Sequence, residues 1–211
     1  MSTTHTDVTN PDVQHTDSDG RARTWLKPEQ VDRLRDVCLT DAVPTYLQDR
    51  NEAIVALLYD AGLRAGELCA LDVDHLDLDA GTVYLPSRIQ KGSPPPATLE
   101  LATDTVRLLR RYLRDRWKDT DALFPTRSSD RPTTRSLQRL VEKLATETSD
   151  RPQVAGSGVG EPTTSRLTPQ RYPAAYRVIQ VDGGRLKDMY LRLRHANRQI
   201  TNQIYCHLVP I

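Results

Sequence analysis

The chain has few of the features that stabilise secreted or membrane proteins. Its three cysteines, Cys38, Cys69 and Cys206, are widely spaced and form no CxxC pair. An odd number of unpaired cysteines argues against a disulfide scaffold and against a zinc ribbon. No apolar run approaches the roughly 18 residues that a membrane-spanning helix needs. The first residues also have no apolar core of the kind that a secretion signal carries. The sequence therefore predicts a cytoplasmic protein.

The chain also has almost no net charge, but this balance conceals a split. The 211 residues include 29 lysines and arginines against 28 aspartates and glutamates, a net charge of +1. Residues 1–82 carry 7 basic and 16 acidic side chains (net −9), whereas residues 83–211 carry 22 basic and 12 acidic ones (net +10). We therefore expect a polyanionic partner to bind the second half.

Composition predicts a single domain that follows a polar tail. Residues 1–23 hold almost nothing to bury, which is typical of a disordered segment, and the domain is expected to span residues 24–211. A helix is expected from about residue 28, and a second from an N-cap at Asp49 to a stop at Gly62. A short third helix should follow at once.

The period of the apolar pattern then changes from helical to alternating. The segments TVYL and ATLEL predict a small antiparallel sheet, with a loop at 92–96 between its strands. Further helices are expected at about 103–117, 133–147, 168–181, 184–194 and 199–206, with a Gly/Pro/Ser-rich loop at 148–165. The fold class is α+β, mainly helical with one small sheet.

Four separate places in this pattern hold side chains suited to phosphate chemistry. Arg64 opens the helix after Gly62, and arginine gives planar, bidentate contacts to phosphate. Lys91 lies at the hairpin loop, and Arg171 lies in the first turn of a helix that Thr-Pro initiates. His195 follows a basic amphipathic helix, and Tyr205 lies near the chain end, where mobility suits a nucleophile. Taken singly, each has a plainer explanation as a solvated or packed side chain.

Taken together, these residues follow the order of a known family. The order is GLR with a glutamate three residues on, a hairpin lysine, a TP-initiated helix with arginine, Arg-His, and a C-terminal Ile-Tyr. The chain resembles the catalytic domain of the tyrosine recombinase (phage integrase) family from about residue 25 to 209. The segments ALLYDAGLRAGELCALDVDHLDLDAGTVYLP and HANRQITNQIYCHL carry most of the likeness. Within the family it is most similar to the integrases of archaea and their mobile elements.

The resemblance implies a site-specific recombinase or integrase that needs no cofactor. Tyr205 would attack a backbone phosphorus of double-stranded DNA and form a 3′-phosphotyrosyl link. Arg64 and Arg171 would hold the non-bridging oxygens, Lys91 would protonate the leaving 5′-oxygen, and His195 would hydrogen-bond the phosphate. Rejoining would need neither ATP nor metal, because the ester energy stays in the covalent link. Relatives of this kind also imply self-association on DNA.

The second box departs from the family pattern. The family commonly has His-x-x-Arg followed by His or Tyr, whereas TPQRYPAAY contains no histidine. Placing Arg171 on the family's arginine leaves Thr168 where the histidine belongs and implies a short deletion. An ungapped alternative puts Gln170 and Pro173 on the histidine and the arginine. We favour Arg171, because the segment AAYRVIQ then continues the expected helix.

Three further departures concern the ends of the domain. Arg194 stands where the family usually has the glycine of Gly-His, and His195 and Tyr205 are one residue further apart than is common. Only six residues follow Tyr205, so the docking contact that many relatives make with a longer C-terminal helix is expected to be small. We also expect no separate N-terminal DNA-clamping domain, and hence weak DNA affinity.

Two other functions remain open at this point. A degenerate, non-catalytic DNA-binding remnant of an integrase would explain the altered second box, and a type IB topoisomerase would use the same chemistry. In the DNA-binding remnant, DNA would contact a basic face of the helix predicted at 103–117. That face consists of Arg107, Arg110, Arg111 and Arg114, for which a solvated surface is the plain alternative.

Overall fold

The computed structural model describes residues 28–148, 178–179 and 183–194. Six α-helices and three β-strands are defined there: α1 Pro28–Cys38, α2 Thr45–Ala61, α3 Ala65–Cys69, β1 Leu76–Asp77, β2 Thr82–Leu85, β3 Ala97–Glu100, α4 Thr103–Arg114, α5 Thr134–Glu147 and α6 Leu186–Leu193. Helix α1 packs on α2 and α5, and α2 also packs on α4. The predicted α+β class with one small sheet is confirmed.

Helix α2 is the buried centre of the domain and ends where the sequence predicts. Gly62 adopts the left-handed conformation (φ 59°, ψ 39°) that stops a helix and that glycine enters without a Cβ clash. The predicted N-cap at Asp49 is wrong, because the helix begins four residues earlier, after Pro44. Leu47 donates its N–H to the Pro44 carbonyl and packs against buried residues of α1 and α5, which extends the helix.

The three strands form an antiparallel meander in the order β1-β2-β3. Val83 lies opposite Leu99 in the ladder, and both are buried, whereas Tyr84 on the other face is exposed. This alternation is what the TVYL and ATLEL patterns predict, and it confirms the sheet. Val83 and Leu99 join the main core, which α2, α3, α4 and the sheet share.

The later helices agree with their predicted positions to within a few residues. Helix α4 buries Leu108, Leu109 and Tyr112, and it stops at Arg114, three residues short of the predicted end. Helix α5 begins after Thr133, whose side chain caps it by accepting from the Ser136 N–H. None of the helices in the described ranges is long and apolar enough to cross a membrane. The tail 1–23, the loop 149–165, most of the helix predicted at 168–181 and the helix predicted at 199–206 lie outside the described residues.

Arg192 connects helix α6 to the core through a network of hydrogen bonds. The Arg192 Nη2 donates to the backbone carbonyl of Asp60 at 2.9 Å and to that of Glu100 at 2.8 Å, and it lies 3.3 Å from Oδ1 of Asp60. Asp60 is buried, and its Oδ2 accepts from the Ala102 N–H at 2.6 Å. One carboxylate therefore joins the end of α2, the start of α4 and the last turn of α6. This arrangement brings Arg194, the last described residue, close to α3.

Candidate functional site

A buried carboxylate organises the start of α3. Glu67 is 1% exposed, and its Oε2 accepts from the Arg64 backbone N–H at 2.8 Å. Its Oε1 accepts from Nη1 of Arg64 at 2.7 Å. Arg64 is the N-cap of α3, which confirms its predicted position at the start of this helix. The backbone N–H of Arg64 is not open to an outside anion, however, because the carboxylate of Glu67 already occupies it.

A second guanidinium binds the same carboxylate from the far end of the chain. Arg194 is the C-cap residue of α6 and adopts the left-handed conformation (φ 50°, ψ 48°). Its Nη2 donates to Oε2 of Glu67 at 2.6 Å. The Arg194 side chain is 8% exposed, against 29% for Arg64. Glu67 therefore lies between two arginines, of which Arg64 faces solvent and Arg194 is enclosed.

The positive charges of Arg64 and Arg194 outnumber the negative charge of Glu67. Burial lowers the pKa of Arg194 from its ordinary value, and attraction to Glu67 opposes that effect while repulsion from Arg64 adds to it. A guanidinium nevertheless stays protonated in proteins. Two positive charges then share one negative charge, which leaves a net positive site with a partly exposed guanidinium. Such a site can bind an anion, and arginine suits the geometry of phosphate.

Sequence reasoning found Arg64 but not the parts played by Glu67 and Arg194. The glutamate was noted only as part of the GLR motif, and Arg194 only as a departure from the family's glycine. A signal was available in each case. A glutamate three residues after a helix-opening residue predicts a capping box, and an arginine at a glycine-preferring turn suggests that its side chain makes a compensating contact.

Lys91 lies on the loop between β2 and β3, as predicted, and is exposed. The loop base is fixed by the neighbouring Gln90, which is buried and donates to the carbonyls of Leu85 at 2.9 Å and Pro95 at 3.3 Å. Gly92 and Ser93 then take positive φ angles of 81° and 47°. The loop thus presents the lysine side chain to solvent from an anchored base, which suits a residue that must reach a bound molecule.

The four arginines of α4 differ in their surroundings. Arg107, Arg110 and Arg114 have side chains that are 77%, 54% and 72% exposed. They pair with Asp104, Asp79 and Asp115 at the surface. Arg111 instead forms an ion pair with the buried Glu52 and lies 2.9 Å, through its Nε, from Asp49. Three of the four therefore remain candidates for DNA contact, and Arg111 has a structural role inside the fold.

The remaining predicted site residues cannot be placed. Arg171, the alternative Pro173, His195 and Tyr205 lie outside the described residues. The described structure therefore contributes Arg64 and Lys91 to the predicted set. It brings Arg64 together with Arg194, which was not in that set.

One group of possible metal ligands occurs within the described ranges. The ligand atoms of Asp72, Asp74 and His75 lie within 4.8 Å of one another. Arg131 forms an ion pair with Asp72, Arg88 lies 3.8 Å from the same carboxylate, and Nδ1 of His75 already accepts from the Asp72 N–H. The Asp72 carboxylate and the His75 ring are already engaged by these contacts, so the group fits an internal cap better than a cation site.

The helices and the three-stranded meander define the fold of tyrosine recombinase catalytic domains. The chain is similar to the crystal structure of XerA recombinase (TM-score 0.67, 21% identity, 90% of this chain and 66% of that one). It is also similar to XerH site-specific recombinase bound to its difH substrate, with a TM-score of 0.67 and 17% identity. That match covers 92% of this chain and 56% of the XerH chain. The catalytic domain of bacteriophage HP1 integrase matches with a TM-score of 0.56 and 16% identity, covering 88% of each chain.

Sequence comparison then identifies the family. The model of the phage integrase family matches residues 24–210, so the chain belongs to that family. Tyrosine recombinase XerC from Salmonella typhi is 30% identical over 184 residues, which cover 85% of this chain and 54% of the relative. XerC from Escherichia coli O1:K1 is 29% identical over the same length. The chain spans about half the length of these curated relatives.

Proposed function

We propose that this chain is a site-specific DNA recombinase that cuts and rejoins DNA through a 3′-phosphotyrosyl intermediate. The observation that carries the proposal is the Arg64–Glu67 pair. A partly exposed guanidinium is held by a buried carboxylate at the position where the phage integrase family has its GLR arginine. The similarity to XerC covers 85% of the chain and supports the same activity class.

The chemistry assigned to the site is a transesterification. The Tyr205 hydroxyl loses its proton to solvent and its Oη attacks a backbone phosphorus. A new P–O bond to tyrosine forms, and the bond from phosphorus to the 5′-oxygen breaks. Lys91 gives a proton to that leaving oxygen, while Arg64 and Arg171 hold the non-bridging oxygens and His195 donates to one of them. Attack by a 5′-hydroxyl reverses the step, so the reaction consumes no cofactor.

The environment of Arg64 fits its proposed part in this reaction. The contact to Glu67 fixes one edge of the guanidinium, and 29% of the side chain remains accessible to a ligand. A donor that is oriented before the substrate arrives stabilises the charge of the transition state without a further reorganisation cost. Lys91, on the anchored hairpin loop, is exposed and long enough to approach the same phosphate from another side.

Double-stranded DNA is the proposed partner, and α4 is one proposed contact surface. The exposed side chains of Arg107, Arg110 and Arg114 lie on one face of that helix, opposite its buried Leu108 and Leu109. Asp79 and Asp115 are 95% and 60% exposed and Asp104 is 42% exposed, and exposed pairs of this type contribute little stability. Phosphates can therefore replace the aspartates at small cost. Self-association on DNA is proposed with it.

The experiment that tests the proposal needs no knowledge of the target site. A pool of nicked duplexes with randomised sequence is incubated with the chain, and protein-linked DNA is recovered after denaturation in SDS. We expect recovery to enrich particular sequences and to depend on Tyr205, with Tyr205→Phe as the matched control. The absence of any denaturant-resistant adduct, with duplex binding intact, would favour the degenerate DNA-binding remnant. Relaxation of supercoiled plasmid without sequence preference would favour a topoisomerase.

The altered second box is what makes the remnant a real alternative. The motif TPQRYPAAY lacks the family's histidine, and either Arg171 or Pro173 stands at the second-arginine position. We propose that it is Arg171. Arg171→Ala should then slow adduct formation, whereas Pro173→Ala should leave it within a few-fold of the parent chain.

A further inference from the structure

Arg194 has donor groups that nothing in the described structure satisfies. Its Nη2 donates to Glu67, but Nε and Nη1 are shielded from solvent and have no hydrogen-bond partner among the described residues. The side chain as a whole is more than nine-tenths buried. Unsatisfied buried donors are rare in folded proteins because they lose their water contacts without replacement. Three N–H groups of this guanidinium therefore lack an acceptor at the site.

The charge around Arg194 points to the kind of acceptor that is missing. Arg64 and Arg194 share the single carboxylate of Glu67, so the group carries one uncompensated positive charge. Arg192, two residues earlier in the chain, adds repulsion rather than compensation. An oxyanion would satisfy both the charge and the free N–H groups, and a phosphate has enough oxygens to contact both guanidinium groups at once.

The backbone at Arg194 gives a further reason to expect a function for the side chain. A residue with a Cβ is strained at φ 50°, and glycine would remove that strain. An arginine that keeps the strained turn must gain from its side-chain contacts, and the single contact to Glu67 leaves most of its donors unused.

We propose that Arg194 binds the DNA phosphate beside Arg64, so that the C-cap of α6 contributes a second guanidinium to the phosphate pocket. The proposal rests on the proposed function for the identity of the phosphate. It does not depend on whether Arg171 also reaches the pocket. In this proposal the phosphate contacts the exposed part of Arg64, and Glu67 holds both guanidinium groups in place.

A binding experiment tests the contact without any recombination. The full chain, labelled with ¹⁵N-arginine, is titrated with inorganic phosphate while the Nε–H resonances are followed by NMR. The Arg194 signal is assigned by its loss in Arg194→Gly, a variant that suits the left-handed turn. We expect this resonance to shift with saturation. The Nε–H of Arg50, also buried and without a partner, is the internal control and should stay in place.

A kinetic experiment separates phosphate binding from a purely structural role. Adduct formation by the parent chain and by Arg194→Gly is compared on a nicked duplex from the selected pool and on the same duplex with a methylphosphonate at the scissile position. Loss of one such donor typically slows catalysis by roughly 10²–10³. Because the methylphosphonate lacks the charge that Arg194 would neutralise, we expect the deficit of Arg194→Gly to shrink at least tenfold on it. Arg192→Gln, which weakens α6 docking instead, should show no such rescue.

Each outcome bears on the proposal in a definite way. Equal slowing of Arg194→Gly on both substrates, or a rate equal to that of the parent chain, would overturn it. So would a phosphate titration that leaves the Arg194 resonance unmoved. If the parent chain forms no adduct at all, the proposed function fails, and a shifted Arg194 resonance would still establish an anion site at this position.

Discussion

Arg194 and Glu67 are 127 positions apart in the sequence and are joined by a 2.6 Å hydrogen bond from Nη2 to Oε2. This contact fixes the end of α6 against the start of α3. The chain continues from Arg194 directly into the segment that carries His195 and Tyr205. The contact therefore fixes where the segment that carries Tyr205, the proposed nucleophile, begins, next to the guanidinium of Arg64.

The charge of Glu67 should be essential to the stability of this site. Glu67→Gln keeps the size of the side chain but leaves the guanidinium groups of Arg64 and Arg194 without their counter-ion. Removing one partner of a buried ion pair costs roughly 3–5 kcal/mol, and we expect a loss of that order in the free energy of unfolding, measured with urea. Glu100→Gln is the matched control, because that side chain is exposed. Equal stability of the two variants would contradict the structure at Glu67.

We expect the docking of α6 to be sensitive to substitution of Asp60. Its carboxylate accepts from the Ala102 N–H and pairs with Arg192, which connects α2, α4 and α6. Asp60→Asn removes the charge while keeping the shape, so α6 should detach before the rest of the domain unfolds. Hydrogen exchange should then speed up in residues 186–193 more than in α1. Asp79→Asn, at a 95% exposed carboxylate, should leave both rates unchanged.

Two cysteines should resist alkylation while the chain is folded. Burial raises the pKa of Cys38 to about 12 and that of Cys69 to about 11. The reactive thiolate is therefore scarce at about pH 8. Iodoacetamide should label these two residues slowly in the native chain and quickly in urea, as peptide mass spectrometry can measure. Raising the pH should also destabilise the fold above the thiol's ordinary pKa, since the unfolded chain then releases protons that the folded chain retains. Rapid native labelling of Cys38 would disagree with its burial.

The face of α4 should divide into DNA-contacting and structural arginines. Arg107→Glu and Arg114→Glu alter exposed side chains, so they should weaken duplex binding without changing stability. Each should reduce the slope of the logarithm of the binding constant against the logarithm of the salt concentration by about one, the value for one phosphate contact. Arg111→Glu places a negative charge beside buried Glu52 and should lower the unfolding free energy instead. If the salt dependence is unchanged in both surface variants, α4 does not contact DNA.

Local patterns predicted the parts of the fold that depend on local physics. Gly62 stops α2 because glycine enters the left-handed region freely, and Val83 and Leu99 are buried because alternation in a strand places them on one face. The start of α2 was missed because Pro44 and the packing of Leu47 outweigh the capping preference of Asp49. Capping residues predict where a helix can begin, and tertiary packing decides where it does.

The site formed by Arg64, Glu67 and Arg194 also shows that local sequence patterns do not predict contacts made by tertiary packing. Arg64 could be placed from its neighbours in the sequence, since a glycine stop and a capping glutamate define its position. The inward direction of Arg194 could not, because it depends on a carboxylate 127 residues away and on the docking of α6 through Arg192. The structural role of Arg111 was hidden for the same reason, because its buried partner Glu52 belongs to another helix.

The most direct test of the central claim is the identity of the covalent link. Denaturant-resistant complexes from the nicked-duplex pool are digested with trypsin and nuclease, and the modified peptide is sequenced by mass spectrometry. We predict a nucleotide attached through its 3′-phosphate to Tyr205, and no such peptide from the Tyr205→Phe variant. A link at another residue, a link through a 5′-phosphate, or an adduct that persists in Tyr205→Phe would contradict the account.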